Sequence, residues 1–100
     1  MNSNDDKTRP SLSERDERTL SLVREEIEAA RNAFPSNVGQ HAALVEEVGE
    51  TAEALIEHSR GNAPAEVVVE EAVQVAAMAV RLVAEGSDEF PYDPDEVFGG

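Results

Sequence analysis

The sequence contains no cysteine, and aromatic side chains make up only 4% of its 100 residues. Without cysteine the chain has no disulfide, no thiol nucleophile and no cysteine-based zinc site. With so few aromatic side chains, alanine, valine and leucine must supply a core from the 40% of residues that are hydrophobic. A chain of this length forms one small domain that buries a modest fraction of its surface, so we expect it to oligomerise.

Positive charge is also scarce. The chain has 8 basic residues against 22 acidic ones, a formal net charge of -14, and Lys7 is its one lysine. Such a field repels nucleic acid and anionic membranes, so we expect no DNA or RNA partner and no membrane partner. Two interpretations of the acidic excess stay open: the acids decorate solvated helix faces and tails, or they keep a lysine-poor surface hydrated in high salt.

Long apolar runs and phosphate-binding loops are missing as well. No apolar run approaches the roughly 20 residues that span a bilayer, and Met1 to Asp6 lack the apolar region of a signal peptide. We therefore expect a cytoplasmic protein. The sequence has no glycine-rich phosphate loop and no Ser/His/Asp arrangement, which excludes P-loop chemistry.

Helical periodicity dominates what is present, and it predicts an all-α fold of three helices over residues 11–86. Residues 1–10 are polar and aperiodic, so we expect a disordered arm. Ser11 or Ser13 can cap the first helix, and Ser13 with Asp16 has the spacing of a capping box. This helix ends near Phe34, before a proline. Its predicted apolar stripe comprises Leu20, Val23, Ile27, Ala30 and Phe34.

The second and third helices are predicted over Val38–Ser59 and Ala63–Glu85, separated by a C-cap at Gly61. The apolar stripe of the second comprises Leu44, Val48, Thr51 and Leu55. The third is apolar almost all round, which is typical of a helix buried all round. We expect oligomerisation to bury it, so that the three-helix subunits complete four-helix bundles.

The predicted tail, residues 87–100, is acidic but holds three of the four aromatic residues of the chain, Phe90, Tyr92 and Phe98. A purely solvated tail would not usually hold them. We therefore expect part of it to dock on the domain or on a partner subunit.

Two pairs of polar residues carry the chemistry. Glu47 and Glu50 share one face of the second helix, with Ala43 and Ala54 as small neighbours, and Glu71 shares a face of the third with Gln74. A helical hairpin sets the pairs opposite each other and makes an oxygen-rich site suited to Mg2+ or Mn2+, and hence to a polyphosphate substrate. The alternative is a solvated acidic face, since such pairs are common on charged helices.

Arg81 lies two turns beyond Gln74 on the same strip of the third helix. It can contact a substrate phosphate, or it can pair with an acid of a neighbouring subunit. Both interpretations stay open.

The runs His41–Glu50 and Glu70–Ala77 resemble the MazG-like, all-α nucleotide pyrophosphohydrolases, whose signature is EExxE, a spacer and ExxD. The resemblance spans residues 20–86. It implies Glu47, Glu50 and Glu71 as metal ligands, with Gln74 standing where the signature has aspartate. Glu46, the first acid of the motif, and Glu47 are the implied catalytic residues.

This resemblance implies a nucleotide substrate, Mg2+-dependent hydrolysis of a nucleoside triphosphate to the monophosphate and pyrophosphate, and a homodimer or homotetramer. An alternative is a catalytically weak or inactive oligomer on the same fold. It would bind nucleotide or metal in a regulatory or structural role, because Gln74 brings no negative charge. A third interpretation is a helical oligomer whose acids only keep it soluble.

Overall fold

The computed structural model describes residues 11–90 and 92–99. Four helices follow one another: α1 (Glu14–Ala33), α2 (Gln40–Ser59), α3 (Ala65–Glu85) and the short α4 (Pro94–Phe98). The all-α prediction is confirmed, and over the described residues no helix is long and apolar enough to cross a membrane. The arm predicted for residues 1–10 lies outside the described residues.

The start of α1 follows the predicted capping box. The Asp16 backbone N–H donates to Ser13 Oγ at 3.1 Å, and the Ser13 N–H donates to the Asp16 carboxylate at 2.9 Å. Two N–H groups that the helix cannot pair internally are thereby satisfied. The last helical residue is Ala33, immediately before the predicted end.

The end of α2 is a Schellman turn built on Gly61. The Asn62 N–H donates to the Glu57 carbonyl at 2.9 Å, and the Gly61 N–H donates to the His58 carbonyl at 3.0 Å. Gly61 has a φ of 78°, in the left-handed region that glycine reaches without steric cost. The predicted C-cap position is therefore confirmed.

α3 is the central helix, with α1 and α2 both packed against it. Over the described residues α1 and α2 make no close backbone contact with each other, and a cavity separates them. The buried apolar residues are all small or β-branched: Val23, Ala30, Ala54 and Ala77. The prediction of a core built without aromatic side chains therefore holds for the described part of the chain.

The apolar stripe predicted for α2 is only partly covered in the single chain. Val48 and Leu55, in the middle of its apolar stripe, are 51% and 52% exposed, and they line an open apolar groove with Ala72 and Val75 of α3. The face turned to α3 instead carries Glu47 and the buried Ala54. Small residues let the two backbones approach closely on this face, which leaves the larger apolar side chains outside.

Two further predicted stripes are only partly covered. In α1, Val23 and Ala30 are buried, but Leu20 and Phe34 are exposed. In α3, Val69, Val80 and Val83 are exposed, so the single chain does not bury this helix all round.

The first part of the tail docks on the domain, as predicted. The Tyr92 hydroxyl donates to the Val83 carbonyl of α3, and the Tyr92 ring stacks on that of Phe90 with centroids 4.5 Å apart. Gly86 makes the sharp exit from α3: its φ is 70°, and a Cβ there would lie 3.0 Å from the Phe90 carbonyl oxygen. Farther along, Phe98 is exposed.

Candidate metal centre

Three carboxylates converge between α2 and α3. One oxygen each from Glu47, Glu50 and Glu71 lies within 4.8 Å of the other two, and all three residues are half-buried. The spacing of three residues puts Glu47 and Glu50 on the face of α2 that contacts α3. We call these three residues the acidic cluster.

Over the described residues, no basic side chain forms an ion pair with the acidic cluster. Burial, followed by the charge of Glu50 and by hydrogen bonding and charge from Glu71, raises the pKa of Glu47 from 4.5 to about 7. One oxygen of Glu71, Oε2, is buried and has no hydrogen-bond partner. Buried carboxylate oxygens are normally paired, so this one lacks a proton, a donor or a metal ion.

Gln74 completes the set from the next turn of α3. One of its amide atoms lies 2.9 and 3.0 Å from the two carboxylate oxygens of Glu47. Hydrogen bonding favours the nitrogen at this position, where it donates to Glu47. With the amide turned over, the oxygen would stand about 3 Å from the carboxylate oxygens, the edge length of an octahedron with metal–oxygen bonds of about 2.1 Å.

The donor set therefore fits a hard divalent cation. Mg2+ and Mn2+ prefer carboxylate and amide oxygens, and three acids with one amide supply them. The unpartnered Glu71 oxygen is the feature that a cation would satisfy directly. All four predicted ligands, Glu47, Glu50, Glu71 and Gln74, are brought together by the fold.

A cavity of about 510 Å3 adjoins the acidic cluster, between α1 and α2 and above α3. Its charged lining residues are Glu26, Glu46, Glu47 and Arg81. Its apolar lining includes Ala30, Ala33, Phe34, Ala43 and Met78. Glu46, the predicted assisting acid, is exposed at this cavity, and Gln74 lies where the cavity meets the cluster.

Arg81 is only 1% exposed. Its Nε and Nη2 donate to the two carboxylate oxygens of Glu85 at 3.0 and 2.9 Å, so it pairs with an acid of its own chain. Nη2 also donates to the Phe34 carbonyl at 2.9 Å. These bonds occupy one side of the guanidinium, and the predicted contact with a substrate phosphate stays a prediction.

Sequence reasoning missed Glu85 as a member of this region. The hydrogen bond from Arg81, with that from Arg31 as a further cause, lowers the pKa of Glu85 against the opposing effect of burial. Glu85 follows Arg81 by four residues, the spacing of an ion pair on one helix face. That spacing was the signal that could have revealed it.

Comparisons of the chain with protein-family models, with curated proteins and with solved structures found no match. The resemblance to MazG-like enzymes therefore stays a prediction made from the residues.

Proposed function

We propose that this protein is a divalent-metal-dependent nucleotide pyrophosphohydrolase. It would hydrolyse a nucleoside triphosphate to the monophosphate and pyrophosphate, as the MazG-like resemblance implies. The observation that carries the proposal is the convergence of the carboxylates of Glu47, Glu50 and Glu71 beside a cavity. The buried, unpartnered Glu71 oxygen supports it, because that oxygen needs a cation or a donor.

Each residue of the site then has a role. Glu47, Glu50 and Glu71 hold the ion, and Gln74 joins them through its amide oxygen. Bound Mg2+ or Mn2+ would neutralise phosphate charge and lower the pKa of an attacking water. The water would attack the α-phosphorus, the bond from this phosphorus to the bridging oxygen would break, and pyrophosphate would leave. Glu46, which lines the cavity outside the ligand set, is the carboxylate that we propose to accept the proton of the water.

The cavity suits the nucleoside part of the substrate. Its volume of about 510 Å3 falls within the range of small-molecule sites. Alanine, methionine and Phe34 supply an apolar wall for a base, while Ser36 and Gln40 supply polar groups at one end. The phosphates would extend toward the acidic cluster.

The proposed assembly is a homodimer or homotetramer in the cytoplasm. The apolar groove between α2 and α3, lined by Val48, Leu55 and Val75, is open to solvent in the single chain. A second copy covering it would complete a four-helix bundle and bury apolar side chains that the small core leaves exposed.

A second candidate function, nucleotide or metal binding without turnover, is favoured by the scarcity of positive charge. Among the described residues, Arg81 is the one cationic side chain that lines the cavity, and it is paired with Glu85. Gln74 also contributes no charge to the metal. Gln74→Asp tests this candidate, because a large gain in turnover by the variant would indicate a site weakened by the amide.

The decisive assay is pyrophosphate release from a panel of NTPs and dNTPs with Mg2+ or Mn2+, in low and in high salt. We expect Glu47→Ala to reduce turnover by about 100-fold or more. Glu53→Ala is the matched control, since Glu53 is an exposed acid of the same helix. No turnover by the wild type, or equal turnover by Glu47→Ala, would contradict the proposal.

A further inference from the structure

A network of hydrogen bonds closes the end of the cavity two turns of α3 beyond Gln74. The wall there is the α1–α2 loop, residues 34–39, together with the first residue of α2. Because α1 and α2 make no close backbone contact with each other over the described residues, this loop and its partners set the width of the cavity at this end.

Arg81 is the centre of the network. Its Nη2 donates to the Phe34 carbonyl at 2.9 Å and, more weakly, to the Ser36 carbonyl at 3.4 Å. The Gln40 amide, with its oxygen turned to the guanidinium, accepts from Nη2 at 3.0 Å and from Nε at 3.2 Å. One buried side chain of α3 thus holds both ends of the loop.

Glu85 holds Arg81 in turn and adds further connections. Its carboxylate accepts from both Nε and Nη2 of Arg81, and from Nε of Arg31 in α1 at 2.8 Å. Its backbone carbonyl accepts from the Asn37 side chain at 3.0 Å. The loop is therefore joined to α3 by hydrogen bonds to Arg81 and Glu85. A forked ion pair holds these two side chains together, and in this geometry arginine fixes position as well as charge.

We infer that Arg81 is a positioning residue, which with Glu85 fixes the loop that bounds the nucleoside end of the cavity. Its catalytic consequence rests on the proposed function; the structural role does not. A phosphate bound at Arg81 would approach the Glu85 carboxylate as well, and the charge of Arg81 is already balanced by Glu85. The pair instead fixes Phe34 and Gln40, which line the cavity.

Two conservative substitutions separate this role from direct phosphate binding. Lysine keeps a point charge that can bind phosphate, but it cannot reproduce the forked geometry of arginine. A positioning role therefore predicts weaker nucleotide binding, seen as a higher KM, in Arg81→Lys, whereas direct phosphate binding predicts little change in KM. Glu85→Gln releases Arg81 from its acid. A positioning role again predicts a higher KM, whereas direct phosphate binding predicts an unchanged or lower KM. Arg60→Lys and Glu57→Gln are matched controls, because they alter an exposed pair at the far end of α2.

We expect Arg81→Lys and Glu85→Gln each to raise KM for the nucleotide by about tenfold, with kcat within about threefold and Mn2+ affinity within about twofold of wild type. Both controls should match the wild type. The inference would be overturned by an unchanged KM in Arg81→Lys, or by an unchanged or lower KM in Glu85→Gln. If either variant fails to fold, Asn37→Ala loosens the same loop, and unchanged KM and amide exchange in that variant would overturn it too.

Amide hydrogen exchange tests the positioning role of Arg81 and Glu85 without an activity assay. The amides of residues 36–40 should exchange about tenfold faster in both variants, with the slow amides in the middle of α2 and α3 unchanged. Equal acceleration throughout the chain, or unchanged exchange in the loop, would overturn the positioning role. If the wild type releases no pyrophosphate, the proposed function fails and this measurement alone decides the inference.

Discussion

Two groups of charged side chains lie about three turns apart on α3, and they accommodate a partly buried carboxylate in opposite ways. In the acidic cluster, Glu47 meets Glu50 and Glu71, and its pKa rises to about 7. In the network around Arg81, Glu85 meets two arginines, and its pKa is lowered. The difference is that arginine side chains contact Glu85, whereas none of the described arginines forms an ion pair with the acidic cluster.

This difference underlies the two proposed roles, metal binding for the acidic cluster and loop positioning for the network around Arg81. The Glu85 carboxylate is neutralised by its ion pairs with Arg81 and Arg31, so it needs no bound cation. The acidic cluster must take up a proton or a cation, because Gln74 offers it only an amide. Strongly perturbed acids beside a cavity are typical of functional sites, and Glu47 is such an acid.

Removing Glu85 from the network around Arg81 should have the largest effect on stability. Glu85→Ala leaves the buried Arg81 unpaired, so we expect the free energy of unfolding to fall by about 3 kcal/mol, measured by urea denaturation. Glu57→Ala, which removes the acid of an exposed pair with Arg60, should cost less than about 1 kcal/mol. Equal losses in the two variants would show that the network is not a special contact.

The pH dependence of stability should expose the unbalanced cluster. The pKa of Glu47 is about 7 in the folded chain and near 4.5 when unfolded, so the folded state binds more protons between these values. The free energy of unfolding in EDTA should therefore fall by about 2 kcal/mol as pH rises through this range. As the pH falls below this range, the free energy of unfolding should also fall, because Glu85, whose pKa is lowered in the folded chain, takes up a proton.

Added Mg2+ should reverse the loss at high pH, because the ion replaces the proton and binds only the folded chain. The measurement is urea denaturation from about pH 4 to 8, with EDTA and with Mg2+. Glu47→Gln provides the control, since it removes the titrating group. Stability that rises from pH 4.5 to 7 in EDTA in the wild type would contradict this account of the cluster.

The smallest expected effect comes from replacing glutamate with glutamine. This substitution should change the free energy of unfolding in opposite directions in the acidic cluster and in the network around Arg81. Glu71→Gln removes a negative charge from the cluster and adds a donor, so it should stabilise the metal-free chain by about 1 kcal/mol. Glu85→Gln should destabilise it, since Arg81 loses its counter-charge. Denaturation of both variants in EDTA gives the signs, and destabilisation by Glu71→Gln would indicate that the cluster carries no excess charge.

The local structure was readable from the sequence because its signals are local. The capping box at Ser13 and the C-cap at Gly61 each depend on residues a few positions apart, and both are confirmed. The acidic cluster was also predictable, since helix periodicity fixes which side chains share a face and a hairpin brings two faces together.

Packing between helices was harder to predict. The predicted apolar stripe of α2 contains the larger side chains, including Val48. The close approach to α3 instead occurs at the small residue Ala54, and Val48 stays exposed. The loop partners of Arg81 were missed because the Phe34 and Ser36 carbonyls are backbone groups, which carry no signal in the sequence. Both misses arise from contacts between residues that are distant along the chain.

Calorimetric titration of the metal-free protein with Mn2+ near pH 7 tests the central claim most directly. We predict saturable binding that releases protons, seen as a heat that changes with the ionisation enthalpy of the buffer. Glu47→Gln and Glu71→Gln should weaken it by about tenfold or more, while Glu53→Gln, at an exposed acid of α2, should bind as the wild type does. Absence of saturable binding, or equal binding by all four proteins, would contradict the account.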